Sequence, residues 1–438
     1  MTLRLPRIRA RRACLAMAAL ALVVAVQPRA AHAASGPASR YPAGATRPLL
    51  LARPSDPLSA RTRAGARGRA GARRPSRGRR RPRKPALRGN PARALLAFQA
   101  MQSHYYLPGS GLYIGEPFSY LWPFSQALAA TVSIAEIPHL PSSFASELNA
   151  RLVGLGSYLD TNNSGAPEGV YTSTLAAFDG TVAPPAGPGG TKYYDDNDWI
   201  GIELVRAYEL THNRAALTSA EQVMSFEMAG WDTVAEHACP GGIPFSNSAE
   251  NTDRNTVTTA PAAELGAQLY RVTHNLQYLQ FAKQAYQWVR TCLLTPAGLY
   301  ADHISPKGVV EPTLWSYNQG AMIGAGALLY EATGEGSYLY DARQTARAAL
   351  AYFTPERLAL EIPFFPSVYF RNLMYLDSIT HDPPGRRIAQ PYVDYAWQHL
   401  RQANDLFVWG SPPSAQLLVQ AAIAQIYALL ASPPSTYF

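Results

Sequence analysis

From residue 92 to residue 431 one pattern recurs: apolar residues at three- and four-residue spacings, interrupted by gaps rich in Gly and Pro. That spacing marks one face of an α-helix, and little of the chain alternates with the period of two that a strand needs. Twelve segments follow it: 92–103, 119–137, 143–159, 195–212, 215–237, 257–273, 275–293, 316–333, 337–353, 366–379, 387–403 and 413–431. The breaks include GTVAPPAGPGG at 180–190, CPGG at 239–242 and HDPPGR at 381–386. Pro363 and Pro366 leave the start of the tenth segment open.

The segments are of two kinds. GAMIGAGALLYEATG is rich in Gly and Ala and nearly free of charge, which predicts burial on most sides. YLYDARQTARAALAYF has a polar face and predicts an outer position. Their alternation predicts inner and outer helices joined as hairpins, and twelve helices would make six hairpins closing into one α/α barrel. An irregular bundle or an open helical solenoid needs the same antiparallel neighbours, so periodicity alone leaves all three open.

The net charge of +9 hides two different objects. Residues 61–93 carry 13 Arg, one Lys and no acid, whereas residue 94 onward holds 16 basic and 29 acidic residues. The basic stretch has almost nothing to bury and is expected to be disordered across 35–91. Residues 1–34 read as a secretory signal peptide: five arginines, the apolar run LAMAALALVVAV, then AHA with cleavage after Ala33 or Ala34. An exported or cell-envelope protein without a membrane span is expected, its domain running over 92–438. On such a chain the basic stretch would contact anionic envelope polymers, and the acidic body excludes nucleic acid as a partner. Cys239 and Cys292 could pair after export, although spacing and number do not demand it. No phosphate loop, dinucleotide fingerprint, HExxH or close Cys/His spacing is present, so neither cofactor nor metal is expected.

One stretch carries too much acid for its place. TKYYDDNDWIGIELVRAYEL, residues 191–210, sets Asp195, Asp196 and Asp198 at the mouth of an apolar helix. Helix starts favour acids, which accounts for one or two. The flanking Tyr193, Tyr194 and Trp199 suit a sugar, whose apolar C–H face rests on aromatic rings. Glycosidic cleavage with retention needs a nucleophilic carboxylate and a protonated one about 5–5.5 Å apart. Neighbours on a helix differ by roughly 100° in direction, which fits that spacing better than the wider inverting one.

YYDDNDW followed by GIELVRAYELT resembles the signature of glycoside hydrolase family 76, the bacterial endo-α-1,6-mannanases and related fungal cell-wall proteins. YLWPFSQALAA at 120–130, CPGGIPFSN at 239–247, APAAELGAQLYRVT at 261–273, PTLWSYNQGAMIGAGALLYEATG at 312–334 and FRNLMYLD at 370–377 resemble that family in the same order. The resemblance implies an (α/α)6 barrel, with Asp195 as nucleophile and Asp196 as acid/base of a retaining attack on α-1,6-linked mannan or a related envelope glycan. Transfer of glycan to an acceptor, or glycan binding without catalysis, are the alternatives. The chain departs from the family pattern at Asp198, at Ile200 and in the GGIPFSN loop. Asp198 is read as a helix cap or supporting acid, with a substrate hydroxyl contact as the alternative. The expected substrate-binding set is Tyr193, Tyr194, Trp122, Asp198, Trp199, Asn247, Trp315, Asn318 and Gln319. Asn251 is a weaker candidate, Arg371 is expected in an internal ion pair, and a monomer is expected.

Overall fold

The computed structural model describes residues 88–140, 144–161, 175–410, 414 and 416–438. The expected signal peptide and residues 35–87 of the basic segment lie outside them. All twelve predicted segments are helical: α1 (Asn90–Tyr105), α2 (Leu121–Ala135), α3 (Phe144–Leu155), α4 (Tyr194–Thr211), α5 (Arg214–Ala229), α6 (Thr256–Thr273), α7 (Leu276–Cys292), α8 (Ser316–Thr333), α9 (Gly336–Tyr352), α11 (Phe364–Thr380), α12 (Pro384–Tyr395) and α13 (Leu417–Ala431), with one short turn of helix, α10 (Pro355–Leu358), between α9 and α11. Two helices stop earlier than their apolar pattern. The fifth ends at Ala229, and the eleventh gives way at Ala396 to a wider π turn. Pro363 stands just ahead of α11 and Pro366 in its first turn, where a missing N–H costs no helical bond.

Helices α2, α4, α6, α8, α11 and α13 each pack on the next, and α13 returns to α2, closing a ring. Around it α3 covers α2, α5 covers α4, α7 covers α6, α9 covers α8 and α12 covers α11. The fold is an (α/α)6 barrel. Its sixth pair is not a hairpin: α1 packs on α13, from the far end of the sequence. Burial separates the two layers as the composition predicts. Every residue of α8 from Ser316 to Leu329 is buried, whereas α9 buries only Ala342, Thr345, Ala346 and Ala349, a single stripe. Gly320 lets α8 approach α11 closely, since a β-carbon there would lie 2.7 Å from the Tyr369 Cα.

The two ends of the barrel differ. At one end, inner helices turn tightly into outer ones through a recurrent device. Thr211 and Thr273 return their hydroxyls to the carbonyls of Ala207 (2.6 Å) and Leu269 (2.7 Å). His212 and His274 follow in the left-handed conformation, φ 56° and 59°. Asn213 and Asn275 then accept from the N–H of Ala215 and Gln277 to start the outer helix. Thr333 with Gly334, and Thr380 with His381, repeat the first two steps. At the other end the connections are long, and all six inner helices begin there. Short strands β1 (Leu159–Asp160) and β2 (Ala177–Phe178) pair antiparallel within them. So do β3 (Arg254–Asn255), β4 (His303–Ile304) and β5 (Val310–Glu311). Cys239 and Cys292 form a disulfide that ties the α5–α6 connection to the end of α7.

The interior holds charge as well as apolar surface. Arg206 pairs with Glu136 (2.6 Å) and Glu203 (2.7 Å), and Arg371 with Glu203 (2.6 Å) and, at 4.0 Å, Glu264. All of these side chains are buried, and Arg371 has the internal ion pair expected of it. Residues 432–438 plug the tight-turn end, where Arg206 donates to the Thr436 carbonyl and Arg371 lies over the Phe438 ring.

Candidate active site

Helix α4 begins at the long-loop end without a side-chain cap, its first N–H, that of Tyr194, donating to the Phe245 carbonyl at 3.1 Å. Asp195 and Asp196 occupy its first turn. Asp195 is half-buried and Asp196 is 7% exposed, and among the described residues neither joins an ion pair. The N–H groups of residues 195 and 196 favour a charged Asp195, yet burial outweighs them and pushes its carboxyl up to about 7. Asp196 is held well above the usual carboxylate range, first by burial and then by the charge of Asp195. Two interacting acids lose their protons in separate steps, so one is able to be carboxylate while the other stays acid.

The approach to these residues is held from three sides. Lys192 is buried against Asp160 (3.4 Å) and Asp179 (3.7 Å). Asn247 accepts from the Lys192 N–H and returns its own N–H to the Lys192 carbonyl. Asn197, one residue past the acids, grips the backbone of Phe178: its Oδ1 accepts from the Phe178 N–H and its Nδ2 donates to the Phe178 carbonyl, both at 2.9 Å. Tyr193 stands beside the pair, edge-on to the exposed Phe245 with ring centres 5.5 Å apart. Gly180 lies against the Tyr193 ring, where a β-carbon would come within 2.9 Å. The exposed Tyr120 is within the electrostatic reach of Tyr193.

Across the ring, α8 begins in the same way. Glu361 accepts from the Ser316 N–H at 2.9 Å and from its hydroxyl, capping the helix. Tyr317 stacks on Phe365 at 4.1 Å, and its hydroxyl is raised well above its ordinary value by burial and by the charges of Asp302 and Asp195. Asn318 donates to Asp302 at 3.3 Å, and its buried Oδ1 has no hydrogen-bond partner among the described residues. Asp302 also holds His303 at 2.9 Å, raising the imidazole pKa. Trp122 and Trp199 both meet the edge of Phe364, and Trp315 that of Phe365.

Several predicted contacts change role. Tyr194 is fully buried and stacks on Phe226 at 4.4 Å, a plug behind the helix instead of a cleft wall. Trp199 is 2% exposed, so its ring serves packing. The Asn247 side chain is spent on Lys192, and the weaker candidate Asn251 accepts from the Phe245 N–H. Gln319 holds both backbone groups of Tyr300, at 2.8 and 2.9 Å, and is closed to a sugar. Asp198 neither caps nor reaches solvent. It is the fifth residue of α4, fully buried, with both oxygens lacking a hydrogen-bond partner among the described residues. Glu227 on α5 is in the same condition, and both carboxyls are raised far by burial and then by neighbouring acids. Tyr193 lies beside the acids, and Trp122, Trp315 and Asn318 stand at the starts of neighbouring inner helices at the same long-loop end. Asp302, Phe364, Phe365 and Glu227 were not foreseen. Their only sequence signals were a lone acid beside a histidine, a doubled Phe after a proline, and an acid inside an otherwise apolar helix stripe.

Among the described residues no group of three or more His, Cys, Asp or Glu is arranged to hold a metal ion, and no helix is long and apolar enough to cross a membrane. Residues 93–378 match the family model described as glycosyl hydrolase family 76. The chain belongs to that family. It is 29% identical over 166 residues to a mannan endo-1,6-alpha-mannosidase of Candida albicans, covering 34% of this chain and 36% of that one. With one from Saccharomyces cerevisiae it shares 26% over 184 residues, 39% and 40% of the two chains. It thus spans less than half the length of these curated relatives. The fold is similar to that of a family 76 mannosidase from Bacteroides thetaiotaomicron, with TM-score 0.68 and 22% identity over 78% of this chain and 98% of that one. It is also similar to an inactive variant of a Salegentibacter α-1,6-mannanase with two adjacent aspartates changed to asparagine, in complex with α-1,6-mannotriose. There the TM-score is 0.62 and the identity 20%, over 78% and 99% of the chains.

Proposed function

We propose that this family 76 protein is an exported glycoside hydrolase that cleaves α-1,6-mannosidic bonds with retention. The observation that carries this reading is the adjacent pair Asp195 and Asp196, without an ion-pair partner among the described residues and with both carboxyls raised in pKa, at the end of the barrel where the long loops lie. Asp195 attacks the anomeric carbon while Asp196 gives its proton to the departing O6, leaving a mannosyl ester on Asp195. Asp196, now a carboxylate, takes a proton from water as that water attacks the same carbon, and both acids return to their first state. The paired aspartates removed in the inactive Salegentibacter variant and the names of the fungal relatives support the assignment. Tyr193, Trp122, Trp315, Asn318 and Asp302 would line the sugar site. The disulfide fits an oxidising compartment. The basic segment would hold the enzyme, acting as a monomer, to anionic polymers of the envelope.

The test is incubation with linear α-1,6-mannan and analysis of the anomer formed first. The expected product is the α-anomer, with a bell-shaped pH–rate profile. Activity rises as one carboxyl of the pair ionises near neutrality and falls as the second loses its proton. A first product of inverted configuration would overturn the assignment, and products that only lengthen would replace hydrolysis by transfer.

A further inference from the structure

Four inner helices place a hydrogen-bonding side chain at the same point, their fourth residue, and each grips the loop arriving at the long-loop end. Asn197 of α4 takes the N–H and carbonyl of Phe178. Gln319 of α8 does the same to Tyr300, and Gln420 of α13 to Phe407, at 2.9 and 2.6 Å. Thr259 of α6 accepts from the Ile243 N–H at 3.0 Å. All four side chains are on residues that are buried completely. Only in α4 do the two preceding positions hold acids.

Asn197 reaches beyond Phe178, as Gln319 reaches beyond Tyr300 to the Trp315 carbonyl at 3.1 Å. Its Nδ2 also donates to the Tyr193 carbonyl at 2.8 Å, the same oxygen that receives the Asn197 N–H. One planar group therefore fixes the residue before the helix, the turn containing both acids, and the loop at Phe178. Two residues on, that loop reaches Gly180, which lies flat against Tyr193 and accepts the Leu121 N–H through its carbonyl. The acids on one side and the aromatic wall on the other are registered through a single side chain. A carboxylate that must approach a sugar carbon in line tolerates little displacement.

We propose that Asn197 is the positioning residue of the catalytic pair, setting Asp195 and Asp196 against the Tyr193 wall through its clamp on Phe178. The inference rests on the reaction proposed above, and the equivalent clamp at Gln420 provides a control inside the same molecule. It makes the same pair of bonds to its arriving loop and is equally buried, with Leu418 and Val419 in place of the acids.

The experiment compares Asn197→Ala with Gln420→Ala in kcat, KM and Tm on α-1,6-mannan. Both should lose similar stability. Asn197→Ala should lower kcat by about 10- to 100-fold with KM within about threefold, whereas Gln420→Ala should keep kcat within about twofold. Should Asn197→Ala fail to fold, Asn197→Asp keeps the acceptor for Phe178 and loses the two donated bonds, and a smaller fall in kcat is expected. Equal kcat values for the two alanine variants would overturn the proposal. If the unaltered enzyme turns over no mannan, the functional reading fails by itself. The positioning role is then read from the carbon-13 titration of the Asp195 and Asp196 carboxyls. A change in Asn197→Ala but not in Gln420→Ala supports it, and identical titrations in both overturn it.

Discussion

In the first turn of α13 the two residues ahead of the clamping amide are Leu418 and Val419, both buried among apolar neighbours. In α4 the same two places hold Asp195 and Asp196, and in α8 they hold Tyr317 and Asn318. The backbone arrangement is shared, since each helix receives its long loop through the amide of its fourth residue. What changes is two side chains per helix. A ring of equivalent helix starts therefore supplies a rigid frame, and chemistry enters where two positions are exempted from packing.

The largest effect should come from those two positions. Asp195→Asn or Asp196→Asn should lower kcat on α-1,6-mannan by about 10⁴-fold with the fold intact, read by turnover and circular dichroism. The matched change in α13, Leu418→Ala, should cost about 2–5 kcal/mol of stability in a denaturant titration and leave kcat alone. If both changes abolished turnover, the distinction between frame and chemistry would collapse.

A second pair of sites tests burial rather than chemistry. Arg371→Met leaves Glu203 and Glu264 inside the barrel with less positive charge, and should cost about 3–5 kcal/mol, measured by urea unfolding. Asp198 and Glu227 should behave in the opposite sense. Burial, and then neighbouring acids, raise their pKa values, so the folded state favours their protonated forms. Whatever stability they allow is complete below the unfolded values, about pH 4, and is lost as pH rises toward their raised folded values. Asp198→Asn combined with Glu227→Gln should thus raise Tm by on the order of a few degrees near pH 7 and have almost no effect near pH 4. A gain equal at both pH values would show that charge is not the cause.

The smallest effect is expected at Asp302, across the ring from the acids. Asp302→Asn should raise KM for short α-1,6-mannosides by about 10-fold with a lesser change in kcat, since it removes one charge-assisted hydrogen bond to a neutral sugar. An unchanged KM would remove Asp302 from the sugar site.

The helices were legible because each is a local pattern, and α8 and α9 differ in composition as inner and outer helices must. The partner of α1 was not legible, because nothing near residues 90–105 refers to α13. The pair proposed to be catalytic stands out in the sequence through adjacent acids within a long run of resemblance. The roles of Asn197, Asn247 and Gln319 were not, since an amide that binds sugar and one that binds a distant peptide look alike in sequence. The tight turns carry a sequence signal of their own. THN recurs at 211–213 and 273–275, and TH at 380–381, each at the end of an inner helix.

The pairing of α1 with α13 has a consequence for synthesis. Side chains of α1 also reach α12, Asn90 to Gln390 at 2.7 Å and Arg93 to Asp394 at 2.5 Å, across about three hundred residues. Until α13 has left the ribosome, the growing chain is an open arc whose first and last inner helices each lack a neighbour. Closure of the ring therefore waits for the last helix, so the contacts most distant in sequence are also the last that can form.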